Sequence, residues 1–438
     1  MVRTTILLLA LLLSLPLLCQ EPMNLAQALE MAMKGNPELL QERARREQAT
    51  GFKAAAFSAF LPTVDATLSD VVKKKVMEVE FPSLVPGEPP QRMKIDFTRK
   101  YQFTLQAVQP LFTGGRVLSA WKSAGEAEKI AKLMVQSKQD EIRARTKAAF
   151  YGVILARKSL DVVDRALQNA ENVDRIVKER LKEGTIKRLD LLRAENRVDE
   201  LKGERVRGEA RIVEAENLLK TLLGMGIDQK VLLSGELPDS HPPLSREGLT
   251  RAFRQGNPLL ETLSSRLRIG DLKVKQARAS LFPTLSLVGQ YNYQGDGMKD
   301  FSQWYNYYTI SLNLSFTLFK GGSRLAEGRI AKAERDEVRS AVAALRDSLE
   351  SELENCWKRW LAEKSRVEYT KAQHQRSQEE FRLAELSYRE GMLTYTDLEL
   401  SQVALAETEL RYLQSLYEWA TATYSLETLT GSEFPEHV

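Results

Sequence analysis

The sequence predicts an α+β membrane protein in which each chain gives four transmembrane β-strands to a barrel shared between subunits. Three observations predict this class. The chain opens with an apolar leader, and no later apolar run is long enough for a spanning helix. Short segments alternate strictly between apolar and polar residues, and a helical pattern runs without proline from Arg116 to Glu183. The whole arrangement occurs twice along the chain.

The leader reads MVRTTILLLALLLSLPLLC, with a positive charge at Arg3 followed by an apolar run from Ile6 to Leu18. This layout is typical of a secretory signal peptide, here residues 1–19. An uncleaved anchor helix is the alternative, and both Pro16 and the short run disfavour it. The chain is therefore predicted to leave the cytoplasm.

Cys19 ends the leader, where a lipoprotein signal would place its acylated cysteine. The residues before it, Leu17 and Leu18, lack the small side chain usual at that point. Lipidation of Cys19 and ordinary cleavage beside it both remain open. The other cysteine is Cys356, so the sequence predicts no disulfide framework.

Composition argues against nucleic-acid binding and against catalysis. The 438 residues contain 63 basic and 59 acidic side chains, interspersed, for a net charge of +4. The three histidines are isolated from one another and from cysteines, and neither a phosphate loop nor a nucleophile elbow occurs. We therefore predict no enzyme activity, no metal and no cofactor.

Internal similarity is the strongest long-range signal in the chain. Five blocks recur in the same order: KGNPELL and QGNPLLE, AFLPTVDATLS and SLFPTLSLVGQ, LFTGGR and LFKGGSR, RLKEGTIKRLDLL and SYREGMLTYTDLEL, and LLKTLLG and SLETLTG. The predicted layout is a signal peptide 1–19, a first repeat 20–224, a linker 225–248, a second repeat 249–431 and a tail 432–438. Each repeat holds helices, a β-hairpin (62–112 or 283–319) and a long helical hairpin (116–224 or 323–430).

Four segments are predicted to be strands: Thr63–Ser69, Tyr101–Phe112, Thr284–Tyr293 and Tyr308–Phe319. In the last, Ile310, Leu312 and Leu314 alternate with Ser311 and Asn313, which suits a strand with one face in lipid. Aromatic residues gather near one end of the second pair, as at a bilayer surface. A soluble sandwich with one wet face is the alternative for any single strand.

Four strands cannot close a barrel, because bacterial barrels begin at about eight and an open edge cannot lie in lipid. The sequence therefore predicts a barrel completed by several chains. Two copies would give eight strands around an interior filled by side chains, whereas three would give twelve and leave a lumen.

The helices set the length scale. The span from Arg116 to Glu183 would be roughly 100 Å long as one helix, and seam residues recur every seven positions at Leu398, Leu405 and Tyr412. An isolated coiled-coil hairpin is the alternative, but it does not explain the strands between the helices. Such lengths suit a tube that projects well beyond a bilayer about 30 Å thick.

The duplicated layout, the strand ends QPLFTGGR and SFTLFKGGSR, and the two Glu-Gly turns with their returning heptads resemble those of the TolC-type outer-membrane efflux proteins. The resemblance covers nearly everything after the leader. It implies a homotrimer with a twelve-stranded barrel in the outer membrane and a helical barrel in the periplasm. It also implies a periplasmic adaptor, or membrane fusion protein, and an inner-membrane transporter as partners.

The function that this resemblance implies is an outer-membrane channel of a tripartite efflux or type I secretion system. Its cargo is a drug, a metal ion or a polypeptide. A periplasmic coiled-coil adaptor or structural rod is the alternative.

The resemblance also places a periplasmic gate at the helix turns farthest from the membrane. The residues that match the family are Gly184, Gly391, Asp190, Asp397 and Tyr388. It suggests that Tyr388 hydrogen-bonds to Asp190 of the adjacent hairpin, whereas a helix-capping role for the two aspartates is the alternative.

Two positions near the turns depart from the family pattern. A gating arginine position falls on Leu393, and a second acidic ring position falls on Leu400. The neighbouring Glu399 is displaced by one helical position and need not face a lumen.

Overall fold

The computed structural model describes residues 22–73, 77–83, 85, 87, 89–95, 99–240, 243–296 and 304–434. The leader and Cys19 lie outside this part of the chain. The helices are α1 (Leu25–Gly35), α2 (Pro37–Ser58), α3 (Arg116–Lys182), α4 (Arg188–Leu223), α5 (Arg246–Gly256), α6 (Pro258–Ala279), α7 (Ser323–Arg389) and α8 (Tyr395–Thr430). The strands are β1 (Thr63–Asp70), β2 (Met77–Phe81), β3 (Gln91–Ile95), β4 (Tyr101–Phe112), β5 (Thr284–Gly295) and β6 (Tyr305–Ser315).

The same order of elements occurs twice. A short helix, a longer helix, a pair of strands of the four-stranded sheet, a helix of 67 residues and a helix of 36 residues follow one another in each copy. This confirms the predicted internal duplication. The chain forms two compact units: one holds residues up to Ala44, Leu133–Leu260 and Arg346 onward, and the other holds Arg45–Lys132 and Glu261–Leu345.

The sheet of the second unit is antiparallel, with strand order β1-β4-β5-β6. Each copy supplies one adjacent pair, and β4 pairs with β5 to join the copies. Thr63 lies opposite Val108, and Thr284 lies opposite Ser315. Both outer strands, β1 and β6, therefore have a strand neighbour on one side only among the described residues.

The end of β6 differs from the prediction, which extended this strand to Phe319. The strand ends at Ser315 because its partner residue, Thr284, is the first of β5. Pro283 precedes Thr284 and has no backbone N–H to donate. The alternation continues in the sequence beyond the point where a partner strand is available.

A second difference is the short hairpin of β2 and β3, which the sequence reasoning missed. It lies between β1 and β4, in the stretch where the first copy is longer than the second. Glu80 and Arg92 face each other across it and form an exposed ion pair at 2.7 Å. Each strand has only five residues, so its alternation of apolar and charged side chains is too short to stand out in the sequence.

The two faces of the sheet differ as predicted. On the polar face the side-chain oxygen of Asn292 accepts hydrogen bonds from Thr104 at 2.9 Å and from Gln102 at 3.2 Å. On the opposite face of β6, Ile310 and Leu312 are 73% and 62% exposed. An apolar surface this open on a single chain indicates that something else covers it.

The core of the first unit lies along its helices. Its largest fully buried side chains include Tyr424, Phe150 and Phe253. Small polar residues line the seam between α7 and α8, where the Thr370 and Ser415 hydroxyls lie 2.9 Å apart and Trp360 donates to Thr423. No helix in the described residues combines the length and apolar character needed to cross a bilayer.

The repeated Gly-Asn-Pro motif joins the short helix of each copy to the end of its returning helix. Asn36 donates to the carbonyl of Leu222 at 2.9 Å, and Asn257 donates to that of Leu429 at 2.8 Å. The side-chain oxygen of Asn36 meanwhile caps α2, which begins at Pro37. One amide thus serves two helices at once.

Glycines allow this contact to be close. A Cβ added to Gly224 would lie 2.4 Å from the carbonyl oxygen of Gly35, and one on Gly431 would lie 2.4 Å from that of Gly256. We call each of these two arrangements a glycine clasp. The clasps account for the repetition of both the motif and the closing glycine.

Candidate functional site

The predicted gate lies at the two turns that join the long helices, both in the first unit. Gly184 and Gly391 adopt positive φ angles of 73° and 77°. In each turn the residue after the glycine donates to a carbonyl five residues earlier, Thr185 to Arg180 and Met392 to Ser387. This left-handed cap ends a helix abruptly and favours glycine. The sequence pattern thus produces two sharp tips.

Tyr388 is the central buried side chain of the tips. It is 2% exposed and packs with Val177, Leu398 and Tyr395 in an apolar cluster. Its hydroxyl has no hydrogen bond of regular geometry among the described residues. The hydrogen bond to Asp190 that the resemblance suggests is therefore not formed within one chain.

Burial raises the pKa of the Tyr388 phenol, and the guanidinium of Arg180 opposes that shift. Arg180 lies 4.9 Å from the centre of the Tyr388 ring. Burial also raises the pKa of the Tyr395 phenol, and the carboxylate of Glu399 adds to the shift. Both phenols are therefore neutral at ordinary pH, and both side chains are buried in the same apolar cluster.

Two arginines bridge the hairpins at this level. Arg180 donates to the carbonyl of Arg389 at 2.8 Å, and Arg193 donates to the hydroxyl of Thr396 at 2.9 Å. Sequence reasoning missed both arginines and Tyr395. One sequence feature could have indicated Arg180: it is a cation in the last turn of a helix, where free carbonyls favour positive charge.

The two aspartates differ in what they contact. Asp397 closes a local cap, because its carboxylate accepts from the Thr394 hydroxyl at 2.5 Å while its backbone N–H donates to the same oxygen. Asp190 follows Lys187, whose side chain makes no capping bond. The Asp190 carboxylate has no side-chain partner in the described part of the chain.

The positions that depart from the family pattern also differ in environment. Leu393 packs against the apolar cluster around Tyr388, so it strengthens the tip by burial. Leu400 is 63% exposed. Burial raises the pKa of the Glu399 carboxyl, and Arg197 opposes that shift.

Comparison with known proteins identifies the family. The model of the outer membrane efflux protein family matches residues 28–225 and 249–432, which is most of the chain. The chain belongs to the outer membrane efflux protein family. The prediction made from the duplicated strand ends and turns is therefore confirmed.

Individual relatives and solved structures agree. The chain is 23% identical over 406 residues to the pyoverdine export outer membrane protein OpmQ of Pseudomonas putida, covering 92% of this chain and 85% of that protein. It is 24% identical over 311 residues to the outer membrane protein TolC of Vibrio cholerae, covering 68% and 66%. The solved outer-membrane channel OprN matches with a TM-score of 0.78 at 20% identity, over 93% of this chain and 90% of that one.

The family places this protein in the outer membrane as a channel component of efflux and secretion systems, with the fold of the TolC-like channel-tunnels. The alternative of a periplasmic adaptor or rod finds no support. The family is one of transport channels, and the roles of Asp190, Asp397, Tyr388, Gly184 and Gly391 stay predictions.

Proposed function

We propose that three copies of this chain form a passive export channel, with a twelve-stranded barrel in the outer membrane and a tunnel of helices in the periplasm. One observation carries the proposal: among the described residues each edge strand of the four-stranded sheet has a neighbour on one side only, and one face of β6 is apolar. Backbone groups at an edge cannot remain unpaired in lipid, so β1 of one copy must pair with β6 of another. Three copies leave room for a lumen lined by the polar face.

The proposed partners follow from the same architecture. A passive tube needs a transporter in the inner membrane to deliver substrate and a periplasmic adaptor to join the two. The tips at Gly184 and Gly391 are the ends that such an adaptor would meet, because the family resemblance places these turns at the periplasmic entrance. We also propose that residues 225–248 contribute to a belt around the tunnel.

The proposed gate is the ring of tips. In a trimer, Asp190 would occur three times around the entrance, and its carboxylate is available because no side chain pairs with it in the described residues. A ring of carboxylates attracts cations and repels anions. The buried Tyr388 cluster and the Arg180 and Arg193 bridges would hold the two hairpins of each chain together at this ring.

Charge on the lipid face of β6 is expected to prevent membrane insertion. Changing both Leu312 and Leu314 to aspartate places two charges where the proposal puts hydrocarbon, at a cost of up to a few kcal/mol. The measurement is the heat-modifiable trimer in outer-membrane fractions. We expect its loss, with monomer accumulating instead.

The matched control changes Ser311 and Ser315 to aspartate, on the opposite face of the same strand. Both serines are exposed in the single chain, as is every residue of β6. We expect this variant to insert and to form trimers. Equal loss of trimer in both variants would contradict the assignment of the two faces.

The tip carboxylates are expected to act differently from each other. Asp190→Asn should move the reversal potential of single channels toward that of an unselective pore, because it removes a charge at the entrance. Asp397→Asn should instead lower thermal stability by up to about 1 kcal/mol, since its carboxylate, unlike that of Asp190, accepts from the Thr394 hydroxyl in the helix cap. Planar-bilayer recordings of both variants under a salt gradient provide the test. A larger selectivity change in Asp397→Asn would place the gate charge in the second copy.

A further inference from the structure

Positive charge is concentrated where the sheet meets the helices of the second unit. The segments next to the strand ends are 52–62, 113–122, 273–283 and 316–329. They contain nine basic residues and a single acidic one, Glu327, although the whole chain is nearly balanced. The basic residues are Lys53, Arg116, Lys122, Lys273, Lys275, Arg278, Lys320, Arg324 and Arg329. We call this set the cationic collar.

The strand register places the residues of the cationic collar side by side along one edge of the sheet. β1 and β5 begin where β4 and β6 end, and Leu285 lies opposite Phe112 while Thr284 lies opposite Ser315. The four chain segments that leave the sheet at this edge therefore emerge side by side. Residues within two or three turns of those junctions share one band below the strands.

Most of the collar is not neutralised by the protein. Lys53, Lys273 and Lys320 form ion pairs at 2.7, 3.8 and 3.6 Å. Among the described residues the other six have no carboxylate within ion-pair distance, and all but Arg324 are exposed. An excess of unpaired positive charge at one level attracts anionic groups from outside the chain.

Exposed apolar side chains are interleaved with these cations. Leu318 and Phe319 are both 84% exposed, and Leu325 is 67% exposed. The Arg324 guanidinium lies 5.9 Å from the ring of Phe316, which continues the apolar side of β6. Aromatic and basic side chains together mark the boundary of a bilayer, whereas an aqueous lumen would not favour exposed Phe and Leu.

A second aromatic group lies at the same level. The ring centre of Trp121 is 6.3 Å from that of Phe57 and 6.2 Å from that of Phe60. Lys122 follows Trp121 directly and is exposed. Both copies thus present aromatic rings and free cations beside their strand ends.

We propose that the cationic collar binds the anionic headgroups of phospholipids in the membrane leaflet from which the helices emerge. The inference rests on the proposed function, because it requires the sheet to lie in a bilayer. Lysine and arginine beside an anionic membrane surface each add to attraction, and the attraction falls off within a Debye length. The chemistry recognised is the phosphate of a lipid with net negative charge.

The test measures which lipids contact the reconstituted protein. Vesicles of phosphatidylcholine with a minor share of phosphatidylglycerol receive a trace of spin-labelled phosphatidylglycerol or of spin-labelled phosphatidylcholine. Electron spin resonance then gives the fraction of each label that is immobilised by the protein. We expect phosphatidylglycerol to be enriched roughly fivefold over phosphatidylcholine at low salt, and high salt to reduce the enrichment.

The variant Lys275→Gln, Arg278→Gln, Arg324→Gln should abolish most of this enrichment. The first two are exposed and the third is half-buried, so the fold should tolerate their loss. The salt dependence of the unmodified protein tests the proposal independently of any variant.

The matched control changes Arg359, Lys371 and Arg376 to glutamine. These cations are exposed, belong to the part of α7 in the first unit, and alter net charge by the same amount. The control should keep the full lipid preference. Equal immobilisation of both lipids by the unmodified protein, or equal loss in the two triple variants, would overturn the proposal. If the unmodified protein immobilised both lipids equally and the collar variant lost its trimers, the collar would instead be a contact surface for a neighbouring protein.

Channel conductance separates this inference from the proposed function. A protein that conducts ions in bilayers of this lipid mixture but shows no lipid preference would overturn the collar alone. A protein that forms no channel in these bilayers would overturn the proposed function and, with it, this inference.

Discussion

Gly431→Ala is expected to lower the free energy of unfolding by about 3 kcal/mol. Gly431 caps α8 with a φ of 63°, a conformation that costs an L-residue roughly 1–2 kcal/mol. The added Cβ would also lie 2.4 Å from the carbonyl oxygen of Gly256. Backbone rather than a flexible side chain stands in its way, so the short helix must move.

The measurement is urea unfolding followed by far-ultraviolet circular dichroism, together with the yield of folded protein. Gly224→Ala should behave like Gly431→Ala, because the clasp of the first copy has the same geometry against Gly35. The control is Gly203→Ala, in the interior of α4, where nothing lies within 4 Å of the added carbon. That change should stabilise the helix by up to about 1 kcal/mol. Destabilisation of Gly203→Ala as large as that of the clasp variants would contradict the explanation.

Lys147→Met is expected to lower the free energy of unfolding by about 3–5 kcal/mol, which is as much as Gly431→Ala or more. Lys147 and Glu427 form an ion pair at 2.9 Å between α3 and α8, with side chains only 7% and 8% exposed. Removing the cation takes the Lys147 counter-charge away from a buried carboxylate. Glu427 also accepts from the backbone N–H of Phe434 at 2.8 Å, so the start of the tail should loosen too.

The double variant Lys147→Met, Glu427→Gln should recover most of the loss, because the glutamine oxygen can still accept from Phe434 and no buried charge remains. Arg165 and Glu409 provide the matched control: they join the same two helices, but Arg165 is 57% exposed. Arg165→Ala should cost no more than about 1 kcal/mol. Thermal unfolding of the four proteins gives the comparison. A double variant no more stable than Lys147→Met would show that packing, not charge, governs this site.

Much of the fold was predictable because its signals are local. Strand alternation with a period of two depends on adjacent residues, and β4 matches its predicted bounds, Tyr101–Phe112, at both ends. The end of β6 was not predictable from β6 itself, because it depends on where β5 begins. The β2–β3 hairpin was missed because strands of only five residues, each with two charges, give too short an apolar alternation to stand out.

Less of the candidate site could be predicted from the sequence, because its contacts join residues that are far apart in the chain. The turn glycines could be predicted from the residues next to them in the sequence, and both adopt the left-handed conformation that ends a helix. Arg180 and Arg193 were missed because their partners, Arg389 and Thr396, lie more than 200 residues away in the chain. The departure at Leu393 became interpretable only when its apolar neighbours were known.

The glycine clasps have a consequence for how the chain arose. Each clasp brings the last residue of a repeat, Gly224 or Gly431, against the start of the same repeat, at Gly35 or Gly256. A single ancestral repeat would therefore have had its two termini side by side. Fusing two such genes in tandem needed only a connector, here the segment before α5, and required no rearrangement within either half. For the same reason, new termini placed elsewhere in a repeat, with the old ones joined, should yield a chain that still folds.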